Sequence, residues 1–552
     1  VTYSNVTANQ AANFLGTIGV NTHLDFTGSS YSNLSAVENA INYIGVKSLR
    51  DSPNNSADLG ANGSWQQVAN ATGAKFDAYL GEGSVATMQQ GLSNATALAH
   101  QGILSFIEGG NEEDQGYATS QGNSLATTAA YQKTVYATAH SLGLQAINMS
   151  FGTGWSKATG DYGTVGNLAG SADFANAHTY FGSGNTPLSG IQALNSDAQL
   201  AANGKQVITT EMGWYTTGST TDSANVSPTV QAKYMLDGLA DAYQNGDAKT
   251  YLYELMDQHA GSSNTEYNFG LFNADGTPKP AATALHNLTS LLADNGANAT
   301  SFTPGTLNYQ LSGTLSTDHT MLLEKSDGTF WLTVWNEARL SGPNAPTDVS
   351  VPNHTVTLSL GSAASNVTVY DPMSGTSAVQ STNNTQSVSL SVPDHPILVE
   401  ISGEAGALSV APSVAQEGNI TLLYQGALGR GPSAGELSYW SNIFANGVSA
   451  ADQSQGLTHA LAQSSGGFNG SMSVADGFLQ SAEFQTKYGS LDNAAFVNQV
   501  YENALHRPAD AAGAQYWDNV LNTGTMTKAM VLVGISESGE ALHANAHMLP
   551  TS

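Results

Sequence analysis

Two short stretches hold the residues whose types and spacing could do chemistry. Leu104-Ser105-Phe106-Ile107-Glu108-Gly109-Gly110-Asn111-Glu112-Glu113-Asp114 is an apolar, β-forming run that stops at two glycines and a tip of one amide and several carboxylates. Gln206-Val207-Ile208-Thr209-Thr210-Glu211-Met212-Gly213-Trp214 repeats that grammar and stops at a glutamate. Such runs suit the buried strands of a parallel sheet, and α/β enzymes keep their chemistry at the C-terminal strand ends. Two carboxylates at one mouth can divide labour when unlike environments push their pKa values apart. One stays protonated as general acid and the other ionised as nucleophile. Cleaving a glycosidic bond needs that division, because the leaving oxygen is a poor base until protonated. The anomeric carbon in turn needs a carboxylate at a carboxyl spacing of about 5 Å, or a positioned water at wider spacing.

The elements that must position these residues follow a βα rhythm. Eight strands are expected, at Ile18–Phe26, Val46–Arg50, Lys75–Leu80, Ile103–Glu108, Gln145–Phe151, Asp173–Tyr180, Gln206–Glu211 and Thr250–Met256. Amphipathic segments such as Val85–His100, Ala126–Leu142, Pro228–Asn245 and Pro280–Leu292 lie between or after them. Eight such units in about 290 residues fit a closed (β/α)8 TIM barrel. A doubly wound sheet is the rival, but no Gly-x-Gly-x-x-Gly follows the first strand.

Past residue 298 the texture changes. Short alternating runs at Thr329–Trp335, Thr355–Leu360, Val367–Tyr370, Ser387–Val392 and Ile397–Ile401, separated by turn residues, predict an antiparallel β-sandwich. The expected domains are a barrel over 1–298, a β-sandwich over 299–403, a linker over 404–418 and an all-α domain over 419–552. In the last, Tyr424-x-x-Ala427-Leu428-x-Arg430 with Tyr439-Trp440 recurs 77 residues on as Tyr501-x-x-Ala504-Leu505-x-Arg507 with Tyr516-Trp517. That periodicity predicts two related helical units.

Composition excludes several functions. The net charge of −28 opposes binding to nucleic acid or an anionic membrane, and the absence of cysteine removes disulfides, thiolate metal sites and thiol catalysis. Only 11% of residues are charged, so hydroxyls and amides fill a surface that suits sugars. No apolar run is long enough to span a membrane. Val1 follows no basic-plus-apolar leader, and a leader already removed is the expectation. No cofactor is called for. His23, Asp25 and Asp77 lack any metal-ligand spacing, so no metal is expected either.

Asn111-Glu112 after a fourth strand and Glu211 ending a seventh resemble the clan A glycoside hydrolases, family 39 and family 5 in type. The resemblance covers the first 300 residues and extends to Arg50, to His178-Thr179-Tyr180, and to Asn268-Phe269-Gly270-Leu271-Phe272 before Asp275-Gly276-Thr277-Pro278-Lys279-Pro280. It implies Glu112 as acid/base, Glu211 as nucleophile, and Arg50, His178 and Tyr180 around the nucleophile. Physics supports these roles, since Arg50 and Tyr180 would keep Glu211 ionised and Asn111 could bond a sugar 2-hydroxyl. Glu113 is the decoy beside Glu112, and the structural alternative for Arg50 is an ion pair with Asp51 or Asp77. His23, Tyr79, Trp155, Trp214 and Tyr215 are candidates to stack on or rim a pyranose. Where clan A barrels often carry a Trp on strand eight, this chain has Tyr253 and Glu254, an extra carboxylate for a hydroxyl or a cationic sugar.

The expectation is a retaining β-glycoside hydrolase acting on a polysaccharide or an oligosaccharide, with endo action favoured. The rivals are a transglycosylase and a non-catalytic carbohydrate-binding or adhesive protein on a degenerate barrel. The C-terminal repeat is similar to a helical domain of unknown function common in secreted bacterial proteins. That implies a secreted or cell-surface bacterial location, and for the helical domain three roles stay open: cell-surface or matrix attachment, a spacer, or dimerisation.

Overall fold

The computed structural model describes residues 3–55, 59–81, 83–115, 124–152, 158–182, 184–222, 224–296, 298–342, 347–403, 414–433, 436, 437, 440, 473–545 and 548. They form two compact units, Val1–Ser402 and Gly403–Ser552.

In the first unit, β1 (Ser4–Thr7) and β2 (Asn9–Gln10) precede the barrel. The barrel strands are β3 (Ile18–Asn21), β4 (Ser48–Asp51), β5 (Lys75–Leu80), β6 (Leu104–Gly110), β7 (Gln145–Ile147), β8 (Ala175–Tyr180), β9 (Val207–Gly213) and β10 (Lys249–Leu252). All pair in parallel in the order β7-β6-β5-β4-β3-β10-β9-β8, and the bridge Ile147 to Phe174 closes the ring between β7 and β8. The eight predicted strands are therefore present, several ending earlier than expected where the chain leaves the sheet to form the mouth.

The helices cover this ring because their apolar residues recur at three- and four-residue steps. Leu34–Ile44 buries Val37, Ala40, Ile41 and Ile44, begins on an Asn33 side chain that caps the Ala36 N–H, and ends at Gly45 in the left-handed region. There a residue with a Cβ would be strained.

A second sheet contains β11 (Thr306–Ser312), β12 (Asp318–Glu324), β13 (Phe330–Asn336), β14 (His354–Tyr370), β15 (Ala378–Val392) and β16 (Ile397–Ser402). Its order is β1-β11-β14-β16-β13-β12-β2, with β15 on β14. Strand β14 pairs with β11 through 357–360 and with β16 through 366–370, changing partner where its register with β15 slips between Ser359 and Ala364. Such a slip is how one strand serves both layers of a sandwich. The two runs expected at Thr355–Leu360 and Val367–Tyr370 are thus one strand.

Residues Ser4–Gln10 correct the expected domain limits, because they belong to this sheet and not to the barrel. β1 pairs antiparallel with β11, β2 pairs in parallel with β12, and only Ala8 separates them. One segment therefore covers both ends of the strand order, and the sheet is mixed rather than purely antiparallel.

In the second unit a helix begins at Val414, inside the expected linker, and runs to Leu428. The 77-residue repeat has a physical basis here. Tyr424, Ala427 and Leu428 are core residues, as are Tyr501, Ala504 and Leu505. Arg430 lies over the Tyr424 ring at 5.2 Å and Arg507 over the Tyr501 ring at 5.4 Å, and each Arg ties to glutamate, Glu483 and Glu540 respectively. Trp440 stacks on Phe478, whereas Tyr439 lies outside the described residues.

Candidate active site

Glu108 points into the barrel and Arg50 meets it there. The Arg50 Nε donates to Glu108 Oε2 at 2.7 Å and Nη2 to Glu108 Oε1 at 2.8 Å. Its remaining N–H groups reach Asn21 Oδ1 (2.9 Å), Glu211 Oε1 (2.7 Å) and Asn111 Oδ1 (2.6 Å). All five guanidinium donors are thereby used, in a side chain that is fully buried and lies 4.1 Å from the centre of the Tyr79 ring. The expected structural partners Asp51 and Asp77 are not its bonded partners. Asp51 instead accepts from Thr22, Leu24 and Ser52, and burial followed by the Glu108 charge pushes the Asp77 pKa well up.

A register skip sets the second carboxylate. Ala177 of β8 faces Thr209 of β9, but His178 faces Glu211, so Thr210 is the extra residue that brings Glu211 level with the histidine. His178 Nδ1 lies 2.6 Å from Glu112 Oε1 and 3.5 Å from Glu211 Oε2, and the Tyr180 hydroxyl donates to Glu211 Oε2. One ligand atom each of Glu112, His178 and Glu211 falls within 4.8 Å of the other two.

Glu112 leaves β6 through a backbone of φ 46°, its N–H donating to Ser150 Oγ at 3.2 Å. A left-handed glutamate is an uncommon conformation of the kind found at functional sites. It turns Glu112 into the cleft, with its side chain 20% exposed, while Glu113 is fully buried and folds back beside Gly110. The decoy is therefore separated from the pair by geometry.

The environments of the two carboxylates differ as the chemistry would require. For Glu112, burial raises the pKa and the Glu211 charge adds to it, outweighing the bond from His178. For Glu211, burial also raises, but the His178 and Arg50 charges and the Tyr180 and Arg50 hydrogen bonds overcome it and lower the pKa. Burial would lower the His178 pKa, yet the Glu211 charge and the Glu112 contact raise it.

A cleft of about 500 Å³ opens over this trio, lined by His23, Phe26, Tyr79, Asn111, Glu112, Glu211, Tyr253, Gln258, Glu266 and Tyr267 among others. The aromatic wall is made of Tyr and Phe. His23, neutral because burial brings its pKa to about 4, sits 3.2 Å from the Tyr253 hydroxyl, which donates to Glu266 Oε1 at 2.7 Å.

Two expected contact residues are placed elsewhere. Trp214 is a core residue stacked between Phe181 (4.8 Å) and Tyr234 (5.9 Å), because three positions after Glu211 the chain has turned outward to the helix Pro228–Gln244. Glu254 is fully buried behind the cleft, its oxygens engaged by the Tyr31 hydroxyl, Gln258 and His23. Trp155 lies outside the described residues. The sequence reading passed over Glu108, Ser150, Gly152, Gln258 and Glu266. For Glu108 a signal existed, a carboxylate inside an otherwise apolar strand that demands a buried cation.

No curated protein sequence matches this chain. Among solved structures it is similar to a family 39 glycoside hydrolase from Bacteroides cellulosilyticus WH2, at 15% identity over 72% of this chain and 82% of that one, with a TM-score of 0.49. A monomeric β-xylosidase from Caulobacter crescentus CB15 aligns at 13% identity over 72% of this chain and 98% of that one, with a TM-score of 0.48. A Rhizomucor miehei β-1,3-glucanosyltransferase mutant aligns at 16% identity over 48% and 96%, with a TM-score of 0.37. Residues 475–545 match the family model described as DUF4214, a domain of unknown function.

Proposed function

We propose that this chain is a retaining β-glycoside hydrolase of the clan A type, working outside the cell and cutting within a polysaccharide. The reading rests on one observation: two adjacent carboxylates, bridged by His178, whose surroundings push one pKa up and the other down. Glu112 gives its proton to the leaving oxygen while Glu211, held ionised by Arg50 and Tyr180, attacks the anomeric carbon. Glu112 then takes a proton from the water that releases the glycosyl-enzyme. The closeness of the two carboxylates favours this double displacement over direct attack by water, which needs wider spacing. Endo action is favoured because accessory domains commonly accompany polymer substrates.

The cleft also favours a class of sugar. Among the described residues, its lining includes Glu112, Glu211 and Glu266 but no Lys or Arg, and Arg50 beneath it has no donor to spare. A uronate or sulfated unit would enter with no free cation in the lining to meet its charge, whereas neutral or amine-bearing sugars need none. Sizing the products from a panel of polysaccharides should therefore reveal cleavage of neutral or amino-sugar polymers and leave polyuronates intact. Products longer than the substrate would point to transglycosylation, and an unchanged panel to a binding protein.

The pH dependence follows from the two shifts. Activity needs Glu211 ionised, which fails as pH falls through its lowered pKa, and Glu112 protonated, which fails as pH rises through its raised pKa. The kcat/KM profile should be bell-shaped, its alkaline limb shifted up from the ordinary carboxylate range by the raised Glu112 pKa and missing in Glu112→Ala. A profile whose alkaline limb survives Glu112→Ala would assign the acid elsewhere.

Gly152 gives a subtler test. A Cβ there would stand 2.3 Å from Glu112 Cδ and 2.4 Å from Gln115 Nε2. Both are ends of flexible side chains, so Gly152→Ala should fold normally while pushing Glu112 off its position beside His178. A misplacement of that size is expected to cost about 100-fold in rate with circular dichroism unchanged.

A further inference from the structure

At the barrel mouth, strands β3 and β4 end side by side and bring together three groups that the proposed chemistry does not use. His23 and Asp25 follow β3, and Asp51 closes β4, which pairs with β3 in parallel. One ligand atom each of His23, Asp25 and Asp51 lies within 4.8 Å of the other two. Asp51 is fully buried and His23 is 5% exposed. The His23 ring is held in place, stacked on Phe26 at 4.5 Å and edge-on to Tyr31 at 5.6 Å.

The bonds around His23 fix its tautomer. Nε2 lies 3.2 Å from the Tyr253 hydroxyl oxygen and 3.3 Å from Glu254 Oε2. Tyr253 gives its one proton to Glu266, and Glu254 Oε2 accepts from Tyr31, so both neighbours of Nε2 are acceptors and the ring proton sits there. Nδ1 is then a bare lone pair, buried and, among the described residues, without a hydrogen-bond partner. Asp51 Oδ2 accepts the Leu24 N–H at 2.9 Å, which holds that carboxylate against the His23 backbone, at the end of the side chain where Nδ1 lies. With the bonds from Thr22 and Ser52, Asp51 uses three of its roughly four lone pairs and keeps one. An acceptor nitrogen beside carboxylates is unfavourable until something positive lies between them. Arg50, the cation that bears on His23, has all five donors in use.

We propose that His23 Nδ1, Asp25 and Asp51 bind a divalent cation of the Mn²⁺ or Zn²⁺ class at the edge of the cleft. Glu254 beside Nε2–H completes the carboxylate–imidazole–metal relay that fixes a ligand histidine. One imidazole with two carboxylates suits first-row cations better than calcium, which prefers oxygen alone. Asp25 is half-buried, and the neighbouring Phe26, Gly28 and Ser29 line the cleft, which gives the ion a way in. The two carboxylates balance its charge, so the lining gains no net cation for a uronate. Asp51 comes from a different strand than His23 and Asp25, so no metal motif marks the three in the sequence.

Chelator-stripped full-length protein titrated with MnCl2 or ZnCl2 alone should bind one equivalent by calorimetry and melt at a higher temperature. With Mn²⁺ bound, electron spin-echo modulation should show the nitrogen of one ligated imidazole. His23→Gln should remove that nitrogen signal, and both it and Asp25→Asn, at a half-buried position that tolerates change, should weaken binding about tenfold or more. Carboxylates also meet a histidine at Glu112, His178 and Glu211 and at Asp241, His319 and Glu337, so Glu112→Ala and His319→Gln are the controls and should keep binding and signal intact. Stripped protein that binds neither ion would overturn the proposal, as would affinity unchanged in both His23→Gln and Asp25→Asn. A nitrogen signal that persists in His23→Gln, or binding lost in either control, would do the same by placing the ion elsewhere.

Discussion

Glu211→Ala is expected to stop the first chemical step on every substrate, a loss of about 10⁴-fold or more in kcat, because nothing else within reach can form the glycosyl-enzyme. Glu112→Ala removes only the proton donor. A dinitrophenyl glycoside, whose leaving group needs no protonation, should still glycosylate Glu211, and the intermediate should then accumulate. Azide entering the space left by the Glu112 carboxylate should release it as a β-glycosyl azide, since two inversions retain configuration. Glu113 is wholly buried, so Glu113→Gln is the matched control and should keep most of the activity. Azide rescue in the Glu113 variant instead would move the acid by one residue. Full activity in Glu211→Ala would end the carboxylate-pair mechanism and favour a binding protein.

The second large effect is on stability and falls on Arg50. Its removal strands Glu108, which is fully buried and takes two of the five guanidinium donors, and also frees Glu211 from its cation. Breaking one partner out of a buried ion pair costs about 3–5 kcal/mol. Arg50→Met should therefore destabilise the protein by that amount in urea denaturation, as well as raising the Glu211 pKa and removing activity. Arg50→Met combined with Glu108→Leu should recover much of the stability and none of the activity. A cost below about 1 kcal/mol for Arg50→Met would mean that burial of Glu108 does not depend on the guanidinium, which then serves Glu211 alone.

The barrel was legible because each of its strands is a compact β-forming run and each run has a helical segment beside it. The mouth residues Glu112 and Glu211 were legible because a carboxylate directly after such a run has few structural uses. Most of what escaped was set by contacts between distant residues. The strand Asp318–Glu324 carries no alternation to mark it, whereas Thr306–Ser312 alternates cleanly at Leu307, Tyr309 and Leu311 and was legible but passed over; Ser4–Gln10 joins the sheet only because β11 and β12 accept it. Glu254 and Glu211 look alike in the sequence, each ending a β-forming run. Only the surroundings distinguish them, Tyr31, Gln258 and His23 closing round the first while the second opens on the cleft. Trp214 was misplaced because aromaticity predicts stacking without saying whether the partner is a sugar or, as here, Phe181 and Tyr234.

The pairing of Ser4–Gln10 with Thr306–Ser312 and Asp318–Glu324 sets a schedule for synthesis. A ribosome moving at about 5–20 residues per second needs roughly 15–60 s to make the 300 residues that separate these partners. Throughout that interval the barrel strands emerge in order and can pair as they come, while the earliest strand has no mate. A β-prone segment left waiting is open to neighbouring nascent chains on the same message. Slowed translation between residues 18 and 305 should therefore increase aggregation more than the same delay placed after residue 324.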